Sequence, residues 1–225
     1  EAGLYYSELS GGAFDITISP LSSLWAFGEE DASVPEESEI AEALSHVDYR
    51  QVHIDGNEVW LEDPEAALDL GAIAKGFIAD KIKEYLVSQN IASGIIDLGG
   101  NVLTIGTRPD HEEYVIGIQR PFAEQNELIE TISVEDSSVV TSGVYERYFY
   151  EDDVLYHHIL NPDTGYPYDN HLLSVTILSP KSTDGDGLST TCFALGLEEG
   201  SRLIESLDGI SAMFITDDYE IHWAE

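Results

Sequence analysis

The chain has 225 residues, of which 43% are hydrophobic, and its 12 Tyr, 7 Phe and 3 Trp give it enough apolar surface for a packed core and too much for a disordered chain. Asp and Glu number 44 against 9 Lys and Arg, a formal charge of −35, which excludes nucleic acid and anionic membranes as direct partners because their phosphates are repelled. A single cysteine, Cys192, rules out an intrachain disulfide, and no run of about 18 apolar residues is present to form a spanning helix.

In chain order, Phe14, Ile16 and Ile18 alternate with Asp15 and Thr17, which predicts a short strand stopped by Pro20. The acidic stretch 28–38 reads as a solvated loop. Ser33 and Glu36 have capping-box spacing ahead of a helix carrying Ile40, Leu44 and Val47. Residues 52–54 and 59–61 flank Asp55-Gly56-Asn57, a hairpin signal. The strongest helix starts near Asp69 and runs to about residue 88, with Ile73, Phe77, Ile78, Ile82, Tyr85 and Leu86 on its predicted core face. Gly94 ends that pattern. Residues 95–98 read as a buried strand closing on Gly99-Gly100-Asn101, and further strands are expected near 102–106, 114–118, 129–134 and 138–141. A turn-rich segment, 161–167, precedes a strand at 174–178. Helices are expected over 186–195 and 198–207, with Cys192 in the core, and a last hairpin over 212–216 and 220–223. No repeat, low-complexity tract or long linker divides the chain. The reading is a single α+β domain over 1–225, a mixed β-sheet with packed helices.

Four segments place Gly and small polar residues beside charge in apolar surroundings. Around Gly71 and Gly76, Lys75 near a helix start makes an anion site or, more plainly, a Gly-kinked turn with a surface lysine. Asp97-Leu98-Gly99-Gly100-Asn101 offers backbone N–H groups to a phosphate or ring carbonyl, or is a tight turn. The third segment joins Thr141-Ser142-Gly143 and Arg147 to His157-His158. Adjacent histidines on a strand point to opposite faces, so at most one serves as a base; Arg147 clamps an anion or forms a surface ion pair. In the fourth, Asp186 and Thr190 are four apart and share a helix face. Carboxylate, hydroxyl and carbonyl oxygens suit Mg²⁺ or Ca²⁺, although an N-capping aspartate would look the same. No Gly-x-Ser-x-Gly, Walker, His-Glu-x-x-His or Gly-x-Gly-x-x-Gly motif occurs.

The stretches GGAFDITISPLSSLW, LDLGAIAKGFIADKI, GIIDLGGNVLTIG, VVTSGVYERYF, YHHILNPDTGYP, SVTILSP and DGLSTTCFALG, in this order, resemble the bacterial flavin transferases of the ApbE family. The resemblance implies a T-fold-like α+β architecture with FAD in a cleft and its pyrophosphate on Mg²⁺. It makes Asp186, Thr190 and the Ala72 carbonyl the metal ligands. Lys75, Asp80, Gly99, Gly100, Asn101, Thr141, Ser142, Gly143, Arg147, His158 and Thr164 become flavin- and phosphate-site residues. Catalytic roles fall to Asp186 and to His158 as base, while His157 matches a variable position. The implied reaction moves FMN from FAD to a Thr or Ser hydroxyl of an acceptor flavoprotein and releases AMP. A metal-dependent FAD pyrophosphatase, a non-catalytic FAD-binding module and a Ca²⁺-stabilised domain are the alternatives. The resemblance further implies an extracytoplasmic lipoprotein, associated with the membrane through a lipid anchor outside these residues, and a family N-terminal segment absent from them.

Overall fold

The computed structural model describes residues 1–30, 32–124 and 127–225; Asp31, within the stretch expected as a loop, lies outside them. In chain order the elements are α1 (Ala2–Leu9), α2 (Ser19–Trp25), α3 (Glu37–Leu44), a 3-10 turn (Tyr49–Gln51), β1 (Val52–Asp55), β2 (Glu58–Leu61), α4 (Gly71–Ser88), β3 (Gly94–Asp97), β4 (Val102–Ile105), β5 (Tyr114–Gln119), β6 (Leu128–Val134), β7 (Ser138–Gly143), β8 (Tyr148–Glu151), β9 (Val154–His157), β10 (Leu172–Ser179), α5 (Ser182–Glu205), β11 (Ser211–Thr216) and β12 (Ile221–Ala224). They fall into two compact units: Glu1–Gly71 with Val144–Asn170, and Ala72–Gly143 with His171–Glu225.

The first unit is built on an aromatic core. Trp25 is fully buried, its Nε1–H donates to the Gly165 carbonyl at 2.8 Å, and Phe27, Tyr156, Tyr166 and Phe149 lie 5.5–6.2 Å from it between ring centres. Leu21, Ile40 and Leu160 close the same cluster. At 14–18 no full strand forms: Ile18 makes an isolated parallel bridge to Ala67, and the Ile16 carbonyl accepts from the Asp69 N–H at 2.8 Å. The Asp15 carboxylate instead accepts from the N–H and hydroxyl of Thr17 (2.7 and 2.6 Å) and from the Tyr49 N–H (2.9 Å), which folds the segment into a turn. Phe14 and Ile16 are buried all the same, so the alternation marked burial more than strand pairing, which is limited to the bridge at Ile18. Pro20 does not stop a strand; it sits in the first turn of α2, where its missing N–H is no loss. The capping box of α3 is formed by Glu36 and Glu39 rather than Ser33 and Glu36. The β1–β2 hairpin closes with Asp55 opposite Glu58, on the two-residue loop its sequence implies. β8 and β9 form a second hairpin, with Tyr148 opposite His157.

The second unit carries a six-stranded sheet in the order β12-β11-β10-β7-β4-β3, every ladder antiparallel. Helix α5 packs on it, burying Leu188, Cys192 and Phe193 beside strand residues Val175, Ile177, Met213 and Phe214. Burial pushes the Cys192 thiol up to about 12. The helices expected at 186–195 and 198–207 are one element that begins earlier, at Ser182, and is broken only at Gly196, whose φ of 78° is left-handed. Two expectations fail on exposure. On α4 Ile73 is buried and Ile82 and Leu86 pack on the core as expected, with Gly76 and Ala79 on the same inner side, while Phe77, Ile78 and Tyr85 are 51%, 48% and 64% exposed. The strand over 94–97 is the sheet's edge, so Ile96 is buried and Ile95 is not. In both places small residues and strand order, not hydrophobicity, chose the inner face.

Candidate active site

In the second unit α4, α5 and the β3–β4 turn bring their polar groups onto one buried carboxylate. Asp186 lies in the second turn of α5 and is almost wholly buried. Its Oδ2 accepts from the Gly76 N–H at 2.5 Å, and its Oδ1 from the Asn101 side-chain amide at 2.8 Å. Asn101 is itself buried, and its Oδ1 accepts from the Ser182 hydroxyl at 2.6 Å. Both Asp186 oxygens are therefore aimed, and the amide that aims one of them is fixed in turn.

The close approach of α4 to α5 depends on Gly76. A Cβ there would overlap the Ser182 carbonyl, so only glycine lets the two helix starts meet. Asp80, one turn further along α4, caps α5 from outside: Oδ1 accepts from the Ser182 N–H (2.8 Å), and Oδ2 from the Thr183 N–H and hydroxyl (2.9 and 2.6 Å). The residue before α5 is Lys181, which supplies no side-chain cap, and this long-range cap explains why the helix starts ahead of Asp184 and Asp186.

A cluster of hydroxyls joins α5 to β7. Ser142 Oγ lies 2.8 Å from Ser189 Oγ and 3.1 Å from Thr190 Oγ1, and Ser189 donates to the Asp186 carbonyl at 3.0 Å. Thr141 on the same strand bonds Thr176 at 2.8 Å. Ala72 stands in the first turn of α4; in a regular helix its carbonyl is the partner of the Gly76 N–H, the same N–H that reaches Asp186. Burial raises the Asp186 pKa above the usual carboxylate value, against the Gly76 and Asn101 hydrogen bonds and the Lys75 charge, which favour the ionised form; Asp80 nearby adds to the rise. The arrangement is an anionic, desolvated oxygen cluster short of positive charge.

Of the residues expected at the site, hydrogen bonds in this unit tie Asp186 to Asn101, Asp80 to the start of α5 and Ser142 to Thr190, while Ala72 stands in α4 and Thr141 in β7. Lys75 is exposed in the second turn of α4, and Gly99 and Gly100 form the β3–β4 turn, where the Gly100 N–H donates to Asp97 at 2.9 Å. Gly143 is buried at the end of β7. The remaining candidates belong to the first unit. His158 sits with Nδ1 3.3 Å from the Arg147 carbonyl, and its N–H also donates to that oxygen at 3.1 Å. A carbonyl only accepts, so Nδ1 is the donor in that contact. His157 is buried, with its ring 2.9 Å from the Tyr168 carbonyl through Nε2 and accepting from the Ile159 N–H at Nδ1. Thr164 accepts the Tyr166 N–H within the 161–165 turn. Ser182 went unread in the sequence, and Thr183 and Ser189, inside the fourth candidate segment, were given no role. Their signal was faint, a Ser-Thr pair just ahead of Asp184-Gly185-Asp186.

A six-stranded antiparallel sheet with α5 packed on it, and a buried carboxylate held between α4 and α5, define the class as an α+β protein. Within that class, the model of the ApbE family matches residues 1–214, and the chain belongs to this family. It is 40% identical over 236 residues to the FAD:protein FMN transferase of Treponema pallidum, covering 98% of this chain and 65% of that protein. With the Klebsiella pneumoniae protein of the same name it shares 42% identity over 217 residues, 96% of this chain and 67% of that one. The chain thus spans about two thirds of the length of these curated relatives. The crystal structure of the ApbE protein of Thermotoga maritima superposes with a TM-score of 0.90 at 35% identity, over all of this chain and 74% of that one. The flavin transferase ApbE of Vibrio cholerae gives 0.87 at 31% identity, over all of this chain and 72% of the other.

Proposed function

We propose that the chain carries the catalytic part of an FAD:protein FMN transferase, moving FMN from FAD to a Thr or Ser hydroxyl of an acceptor flavoprotein with release of AMP. The observation that carries the reading is the buried Asp186 carboxylate, held by Gly76 and Asn101 beside the Thr190 and Ser142 hydroxyls. The name shared by the relatives supports it.

The donor set fits a hard divalent cation such as Mg²⁺: Asp186 and Thr190 side chains with the Ala72 carbonyl, all oxygen. A cation bound there would balance the Asp186 charge, polarise phosphate oxygens and stabilise charge growing in the transition state. The protein's own contribution is rigidity. Asn101 and Gly76 hold Asp186 in one rotamer, and Asp80 fixes the α5 turn that carries it. The family resemblance gives the Gly99-Gly100 turn and Lys75 to the dinucleotide phosphates and Thr141, Ser142 and Gly143 to the flavin side, and in the first unit it gives Arg147 and Thr164 binding roles. The resemblance makes His158, whose Nδ1 lies 3.3 Å from the Arg147 carbonyl, the base that takes the acceptor's proton. The same proposal places the protein outside the cytoplasm, tethered by a lipid anchor beyond these residues, which cell fractionation tests.

The deciding experiment incubates FAD, Mg²⁺ and a Thr-containing acceptor peptide with the wild type and with Asp186→Ala. The expected outcome is AMP release and a peptide mass gain of one FMN, both lost by about 100-fold or more in the variant, as for removal of a key charge-stabilising group. Free FMN with an unmodified peptide would instead establish hydrolysis.

A further inference from the structure

A second constellation lies in the first unit and plays no part in the chemistry above. Glu42 in the last turn of α3 and His46 just beyond it are four residues apart, and Glu65 follows β2. One oxygen of each glutamate and one nitrogen of the histidine all lie within 4.8 Å of one another. His46 Nε2 is 3.8 Å from Glu42 Oε1 and 3.7 Å from Glu65 Oε2. Those gaps exceed a hydrogen bond of about 2.7–3.2 Å. They are close to the ~3.3–3.5 Å between neighbouring ligand atoms of a tetrahedral zinc site with bonds of ~2.0–2.1 Å.

Two further observations point the same way. Nε2 is sealed from solvent and has no hydrogen-bond partner. A buried polar nitrogen left unpaired beside two carboxylates is costly. The opposite nitrogen, Nδ1, lies 2.6 Å from Asp63 Oδ2, and the other oxygen of Asp63 accepts the Glu65 N–H at 2.8 Å. One carboxylate thus orients the ring and pins the backbone of the second glutamate. A histidine held by a carboxylate on its far nitrogen is the usual outer arrangement of a metal-binding imidazole.

We infer that Glu42, His46 and Glu65 form a structural site for a zinc-class divalent cation, with Asp63 as its outer support and water completing the coordination. Imidazole selects a transition metal over Mg²⁺ or Ca²⁺, which take oxygen ligands. The bound ion joins the end of α3 to the segment after β2 and stabilises the first unit. A proton on Nε2 is the competing occupant, since the three carboxylates also favour imidazolium.

The test uses the metal-stripped chain in excess Mg²⁺, so that an oxygen-only site is saturated. Zn²⁺ is titrated by calorimetry and by melting temperature, and Co²⁺ by visible absorption. The wild type is expected to bind one more equivalent than His46→Gln, with a zinc-dependent rise in melting temperature that the variant lacks. Asp63→Asn should bind about 10- to 100-fold more weakly. Glu65→Gln, which changes an exposed side chain and keeps the fold, should lose the Co²⁺ band as His46→Gln does. Equal zinc stoichiometry and equal thermal response in the wild type, His46→Gln and Glu65→Gln would overturn the inference and leave His46 as a protonated ion-pair partner.

Discussion

His157 and His158 are neighbours with opposite fates, as alternation along a strand requires. The His157 ring is walled in, and burial lowers its pKa below the usual histidine value, against a smaller opposing effect of its bond to the Tyr168 carbonyl. The unfolded chain takes up that proton near pH 6.5, and the folded chain only at lower pH. Stability contributed by neutral His157 is therefore present above pH 6.5 and lost as pH falls through it. Melting temperatures of wild type and His157→Gln, compared from pH 7.5 to 5, should converge or cross as pH drops. A constant difference would refute the assignment. The comparison has to be differential, because protonating carboxylates on so acidic a chain shifts both proteins. Sequence reading separated the two histidines by strand geometry, but only burial showed which one is locked. It likewise found the Asp186–Thr190 pair from helix spacing alone and named Asn101, yet could not find Ser182, whose hydroxyl meets the Asn101 side chain across 81 positions.

At the scale of elements, α4 shows how packing overrides pattern. Helix propensity alone says that Gly76→Ala stabilises by about 1 kcal/mol. Contact says the reverse, because the new methyl overlaps the Ser182 backbone and must push α5 away. We expect a net loss of ~1–3 kcal/mol, read by denaturant unfolding, together with weaker metal-dependent turnover as the Gly76–Asp186 hydrogen bond opens. Asp80→Ala removes the cap of α5 without adding volume and should cost ~1–2 kcal/mol. A neutral or stabilising Gly76→Ala would show that the helices are not in backbone contact. The period of α4 was legible in the sequence and its inner face was not. The stripe of Ile73, Gly76 and Ala79 wins because small residues permit close approach, while the bulkier Phe77, Ile78 and Tyr85 are left outside.

Over the whole molecule, a formal charge of −35 sets a repulsive background that favours expansion. Screening shortens from about 10 Å at 0.1 M salt to about 3 Å at 1 M. The melting temperature should rise by several degrees over that range in KCl, with the metal held constant; a flat response would mean that the carboxylates are already neutralised locally. The amino-acid sequence by itself determined the class of fold, most strand and helix positions, the burial of Cys192 and the ordered motifs that mark the family, because these rest on local periodicity and short-range turn chemistry. It could not settle whether residues 14–18 pair, which side of α4 faces in, which strand is the edge, or what caps α5. Those were decided by groups far apart in the chain, the Asp15 carboxylate with Tyr49, Gly76 against Ser182, Asp80 over Thr183, since a hydrogen bond or a backbone contact takes its value only once tertiary structure brings both partners together.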